Sequence, residues 1–163
     1  MKINLEELAL KQRKLDNYIY QNSQLTSQNT LKKRIFALLV EVGETANELR
    51  FFKFWTKKPP GDKEIILEEF IDIIHFIISI GNTINLSLWE IETDRSNEDL
   101  IDLFMNLYEQ ILLFSKANNE GQFKNMLLSL FIILEKLNYS KEDIVAMYYL
   151  KNKINFERQN NNY

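Results

Sequence analysis

The sequence predicts an all-α fold, a bundle of about six helices. Four glycines and two prolines among 163 residues leave few breaks. Long periodic runs with such rare punctuation mean helices rather than strands. Apolar residues also recur at three- and four-residue spacing through most of the chain, the stripe that a bundle helix buries. The length suits a single domain over residues 1–163, large enough to bury a core without disulfides or a structural metal.

The first helix is expected over about Asn4–Gln21, with Leu5, Leu8, Leu15 and Ile19 inward. A polar stretch, Asn22–Asn29, leads to Thr30 as the expected N-cap of the second helix. There Ile35, Leu38, Leu39, Val42, Ala46 and Leu49 repeat at helical spacing. The aromatic run Phe51, Phe52, Phe54 and Trp55 closes it, and Pro59, Pro60 and Gly61 make the clearest break in the chain. A third helix, about Lys63–Ile80, is apolar nearly all round apart from its acidic residues. Its isoleucines also suit a strand, but its length and acidic spacing favour a central buried helix. The fourth, about Asn97–Lys116, turns Leu100, Leu103, Phe104, Leu107, Ile111 and Phe114 inward. The fifth, about Gly121–Leu137, does so with Phe123, Leu127, Phe131 and Leu134. Ser140, with Asp143 three residues on, resembles a capping box and starts a sixth helix running toward Gln159.

Composition excludes several classes. A net charge of −3 argues against broad nucleic-acid or membrane-surface binding. Without cysteine there is no disulfide scaffold and no zinc finger, which fits a reducing cytoplasm. The stretch MKINLEELALKQRKLDNY has no signal-peptide apolar block. The most apolar segment, Ile65–Ile80, is interrupted by Glu68, Glu69, Asp72 and His75 and is not membrane-spanning. Richness in isoleucine, asparagine and lysine suggests an AT-rich genome, that of a bacterium or a phage.

Two acidic pairs carry most of the chemical information. Glu41-x-x-Glu44 and Glu69-x-x-Asp72 each place two carboxylates on one helix face. The first pair, with Glu48, also reads as an ordinary solvated face. The second lies in an isoleucine-rich helix, where ionised groups are costly unless paired or liganded. If the two helices pack side by side, the four carboxylates converge. A carboxylate-only cluster suits a hard cation such as Mg²⁺, which usually arrives with a phosphate-bearing substrate.

His75 shares the face of Asp72; it reads as a hydrogen-bonded core residue or as a contact to a ligand's base or sugar. Trp55 reads as a loop anchor or as a stacking wall for a planar ring. Lys151, Asn155 and Arg158 follow i, i+4, i+7 and give one face of two cations and an amide. Such a face is common near a helix C-terminus, but beside a metal site it can hold phosphate oxygens from the opposite side. No phosphate-binding glycine loop, dinucleotide fingerprint or framed nucleophile is present, which favours an activated water over a covalent intermediate.

Glu-x-x-Glu, a gap of about two dozen residues, then Glu-x-x-Asp resembles the signature of the all-α nucleoside triphosphate pyrophosphatases. The run Phe-Lys-Phe-Trp ending at Trp55 narrows the likeness to the dimeric dUTPases. So does the tail Lys-Asn-x-x-Asn-x-x-Arg-Gln-x-x-x-Tyr, from Lys151 to Tyr163. The Gln12–Asp16 region is similar to an N-terminal pattern of that family. Asn162 stands where the family often has glycine, and the region of the fourth and fifth helices carries no matching motif.

The resemblance implies a four-helix catalytic core and Mg²⁺-dependent hydrolysis of dUTP to dUMP and pyrophosphate, with dUDP as a second substrate. It implies magnesium ligation by Glu41, Glu44, Glu69 and Asp72, with Glu41 orienting the attacking water. It further implies phosphate contacts from Lys151 and Arg158, a deoxyribose contact from Asn155, and a uracil pocket shaped by Trp55, His75 and Gln12. A homodimer is implied as well. The alternatives are a MazG-like or dCTP-preferring pyrophosphatase, and a non-enzymatic helical interaction protein.

Overall fold

The computed structural model describes residues 1–87 and 89–160. Six helices appear among them: α1 (Glu6–Ser23), α2 (Ser27–Leu49), α3 (Lys63–Thr83), α4 (Leu100–Ala117), α5 (Glu120–Lys136) and α6 (Lys141–Asn160). Two three-residue strands, β1 (Lys2–Asn4) and β2 (Glu90–Glu92), complete the described elements. The all-α bundle is as expected. Asn162 and Tyr163, the end of the tail motif, lie outside the described residues.

The third helix is the axis because it is apolar nearly all round. Phe70, Ile71, Ile73, Ile74, Ile77, Ile78 and Ile80 are completely buried, each contributing about 1.5–3 kcal/mol by leaving water. α1, α2 and α6 pack around it, while α4 and α5 pair with each other and α4 rests on α2. Phe104 of α4 reaches inward to Phe51 and Phe70, with ring centroids 4.9 Å and 6.4 Å away.

Several helix starts differ from the expected ones for identifiable reasons. The N-cap of α2 is Thr26, not Thr30. Thr26 Oγ1 accepts from Asn29 N at 3.1 Å, and Asn29 Oδ1 accepts from Thr26 N at 2.9 Å. This reciprocal pair satisfies two end donors, whereas Thr30 sits inside the helix and donates its hydroxyl to Thr26 O. Asp99 and Asn119 cap α4 and α5 one way only, each side-chain oxygen accepting from the backbone N–H three residues on. The expected box at Ser140 is present: Asp143 N donates to Ser140 Oγ and Ser140 N to Asp143 Oδ2, both at 3.1 Å. Few glycines are needed at helix ends because Gln24, Arg50 and Asn118 adopt the left-handed cap conformation themselves.

The strands were not expected. Lys2–Asn4 pairs antiparallel with Glu90–Glu92, placing Ile3 opposite Ile91, both buried. The first helix therefore begins at Glu6 rather than Asn4. α3 continues through Gly81 to Thr83, beyond the expected end at Ile80. Gly81 does not stop the helix; it makes room. A Cβ there would lie 2.5 Å from Trp89 Cη2 and 2.7 Å from Phe123 Cζ. Gly81→Ala is therefore expected to destabilise by about 1–3 kcal/mol despite alanine's better helix propensity. Thermal denaturation should show a fall of several degrees in Tm; an unchanged or raised Tm would mean that the rings move aside freely.

Candidate active site

The short connection between α2 and α3 makes them antiparallel neighbours. Their register is visible in side-chain pairs: Arg34 of α2 meets Ser79 of α3, and seven residues along Glu41 meets Asp72. Carboxylate oxygens of Glu41, Glu69 and Asp72 all lie within 4.8 Å of one another. Glu44, the fourth expected member, is exposed and its oxygens fall outside this group. It faces the same region nonetheless, since its charge acts on both Glu41 and Glu69.

Partial burial makes the crowding expensive. Glu41 is pushed up to about 7 from the usual 4.5, first by burial and then by the charges of Asp72, Glu44 and Glu69. Burial, with Asp72 beside it, also raises Glu69. Asp72 is raised too, because burial outweighs a 2.7 Å ion pair with Lys151 Nζ. The α6 lysine thus sits against the acidic centre itself, bonded to Asp72, rather than across from it. A set of hard oxygen donors with raised proton affinity and one neighbouring ammonium fits a divalent cation such as Mg²⁺.

Beside the carboxylates opens a cavity of about 540 Å³, within the range of small-molecule sites. Its walls come from the four helices α1, α2, α3 and α6. Gln12, Glu41, Asp72, His75, Asn155 and Arg158, all expected site residues, line it. Trp55 does not; it is 64% exposed and packs edge-on against Phe52 and Phe54.

The middle of the cavity is ordered by a buried polar chain. His75 Nδ1 lies 2.7 Å from Gln12 Oε1, and its ring stacks on Tyr148 with centroids 4.2 Å apart. Gln12 Nε2 donates to Asp16 Oδ1 at 2.8 Å, and Tyr148 donates its hydroxyl to Gln12 Oε1 at 2.8 Å. This fixes the amide, so His75 Nδ1 carries the hydrogen and Nε2 presents a lone pair. Burial, with Lys151 nearby, pushes His75 down to about 3, so the ring is neutral at working pH. Ser79 donates to Asp16 Oδ2 at 2.7 Å and accepts from Arg34 Nη1 at 2.8 Å.

Asp16, Arg34, Ser79 and Tyr148 were not singled out from the sequence as site residues. A signal for Arg34 existed. Thr30, Arg34, Leu38, Val42, Thr45 and Leu49 form the buried stripe of α2, and a guanidinium on such a stripe must serve a polar purpose.

A family model described as dUTPase matches residues 4–163, nearly the whole chain. No match is found among curated proteins. The match spans the helices that form the cavity as well as α4 and α5, where no motif was legible. The chain belongs to the all-α dUTPase family and is a dUTP diphosphatase.

Proposed function

We propose that the protein hydrolyses dUTP, with dUDP as a second substrate, to dUMP in a Mg²⁺-dependent reaction at the Glu41–Glu69–Asp72 centre. The observation that carries this reading is the convergence of those three carboxylates at the edge of a nucleotide-sized cavity. Glu41, Glu69 and Asp72 would hold the magnesium, with Glu44 available to complete the set. Bound there, magnesium neutralises phosphate charge and makes water more acidic. Glu41 borders both the cluster and the cavity, so its carboxylate is placed to orient the attacking water and take its proton. Arg158 and Asn155 line the cavity and Lys151 pairs with Asp72 at the acidic centre; Lys151 and Arg158 would hold phosphate oxygens, and Asn155, one turn from each, would contact the deoxyribose. Gln12 and His75 shape the base pocket. Trp55, lying outside the cavity, would contribute stacking only through movement of its segment or from a second subunit.

A homodimer belongs to this reading. The neighbouring helices α2 and α4 keep apolar stripes exposed, Phe36 and Val40 on one, Ile101, Met105 and Leu112 on the other. Exposed apolar patches of this kind mark association surfaces. Among the described residues no helix is long and apolar enough to cross a membrane, and a cytoplasmic location remains our reading from the absence of cysteine.

Three outcomes test the proposal. Pyrophosphate release from dUTP should exceed that from dCTP, dTTP, dATP, dGTP and UTP, stop with EDTA, and fall at least about 100-fold in Asp72→Asn. Equal turnover of all substrates would favour a MazG-like activity, and none at all an interaction protein.

The second concerns stability. Because Glu41 is raised in the folded state, the fold binds its proton more tightly than the unfolded chain. That contribution is complete below the unfolded value and is lost as pH rises through about 7. Metal-free Glu41→Gln should therefore melt above wild type at about pH 8 and not at about pH 5. Equal melting temperatures at both pH values would contradict the crowding.

The third is mass. Sedimentation should give twice the 19.5 kDa of one chain, and Phe36→Glu with Met105→Glu should return the single-chain value. A dimer that survives both charges would place the interface elsewhere.

A further inference from the structure

Lys151 stands apart from the other polar residues on its face of α6. Asn155 and Arg158 line the cavity, whereas Lys151 does not. It turns instead into the acidic centre, where its Nζ donates to Asp72 Oδ2 at 2.7 Å. The pair is largely withdrawn from water, the two side chains being 12% and 27% exposed. Solvent and salt therefore screen it less than a surface ion pair. Asp72 is one of the three carboxylates whose oxygens lie within 4.8 Å of one another. The ammonium also acts on the other two, favouring the charged forms of Glu41 and Glu69 against burial. One lysine thus serves all three acids, at the place that fits a divalent ion.

Two cations compete for that centre. Magnesium bonds carboxylate oxygens at about 2.0–2.1 Å. An ammonium still held on Asp72 would face it at close range in partly dry protein, where like charges repel strongly. We propose that Lys151 is the resident counter-ion of the metal-free centre, released from Asp72 when a divalent cation binds and then free to reach the phosphates. This rests on the Mg²⁺-dependent reading above and adds to it a switch carried by α6. Lysine suits the part. It holds Asp72 through one point charge and not through the two-pronged grip of a guanidinium. Its four-carbon stem lets the ammonium swing while the helix stays in place. Metal and phosphate binding are then coupled through a single side chain, and such coupling is reciprocal. The metal-free site keeps its acids neutralised, and the lysine becomes available only once the metal has taken over that task.

The test is Mg²⁺ binding without nucleotide, measured by calorimetry on wild type and Lys151→Met, each checked for its fold by circular dichroism. Methionine keeps an apolar stem of similar length and removes the competing cation. Lys151→Met should bind Mg²⁺ about tenfold tighter than wild type, a usual size for two coupled binding events. Equal or weaker binding would overturn the switch, because a lysine that only supports the site helps the metal and does not oppose it. A gain from lost charge alone is told apart by NMR of the wild-type lysine ammonium nitrogens, the Lys151 signal being assigned by its absence from the variant. On saturation with Mg²⁺ that signal should move to the position of the exposed lysines. If it keeps its metal-free position, Lys151 stays on Asp72 and the inference is wrong. Should Lys151→Met not fold, Lys151→Gln takes its place in both measurements. Binding of Mg²⁺ by the variant alone supports the switch, and binding by neither protein overturns it. No Mg²⁺ binding even with α,β-imido-dUTP present overturns the Mg²⁺-dependent reading as well.

Discussion

Carboxylates on neighbouring helices repel, yet α2 and α3 hold those of Glu41, Glu69 and Asp72 with oxygens within 4.8 Å of one another. The packing that enforces this is the isoleucine-rich interior of α3, buried on nearly every side. Apolar burial is non-directional and cooperative over a long helix, so it can hold a local electrostatic conflict in place. Lys151 relieves part of that conflict from α6. The remainder is the free energy that a divalent cation and its phosphate-bearing substrate can recover on binding.

From that centre the cavity changes character along the helices. At one end stand the acidic oxygens with Lys151 and Arg158 near them. One turn along α3, His75 is a neutral ring held by Gln12 and Tyr148. A further turn brings Ser79, Asp16 and Arg34, joined in one hydrogen-bonded chain. A nucleoside triphosphate has the same sequence of character, from charge to sugar to a polar ring edge. Four helices supply the walls, and the helix pair α4–α5 backs α2 and α3 from behind.

Much of this was legible in the residues, and the reasons are physical. Spacing of three residues on a helix is a strong constraint, so Glu69 and Asp72 had to share a face, and their place among isoleucines signalled a forced acidic site. Spacing also put Lys151, Asn155 and Arg158 on one face of α6, but the direct pairing of Lys151 with Asp72 depends on how α6 packs against α3. Contacts that depend on tertiary placement were not legible. Glu44 is next in the motif, but its exposed side chain keeps its oxygens outside the cluster, which depends on tertiary placement and not on spacing. Trp55 adjoins the acidic helix in sequence, yet the turn at Lys53–Thr56 carries it outward. The strand pair of Ile3 with Ile91 joins segments far apart in the chain and is only three residues long, too short to produce an alternating pattern. Arg34 was the instructive miss. A cation at a buried position of a periodic stripe looks like an error in the pattern until its partners on α3 are seen.

The proposed chemistry turns on substrate binding to the acidic cluster through a divalent cation. It is tested most directly by calorimetric titration with the non-hydrolysable analogue α,β-imido-dUTP, with Mg²⁺ and with EDTA. Binding should be at least about tenfold tighter with Mg²⁺, worth about 1.4 kcal/mol, and that difference should be lost in Asp72→Asn. Equal affinity with and without Mg²⁺, in protein shown to be folded, would contradict it.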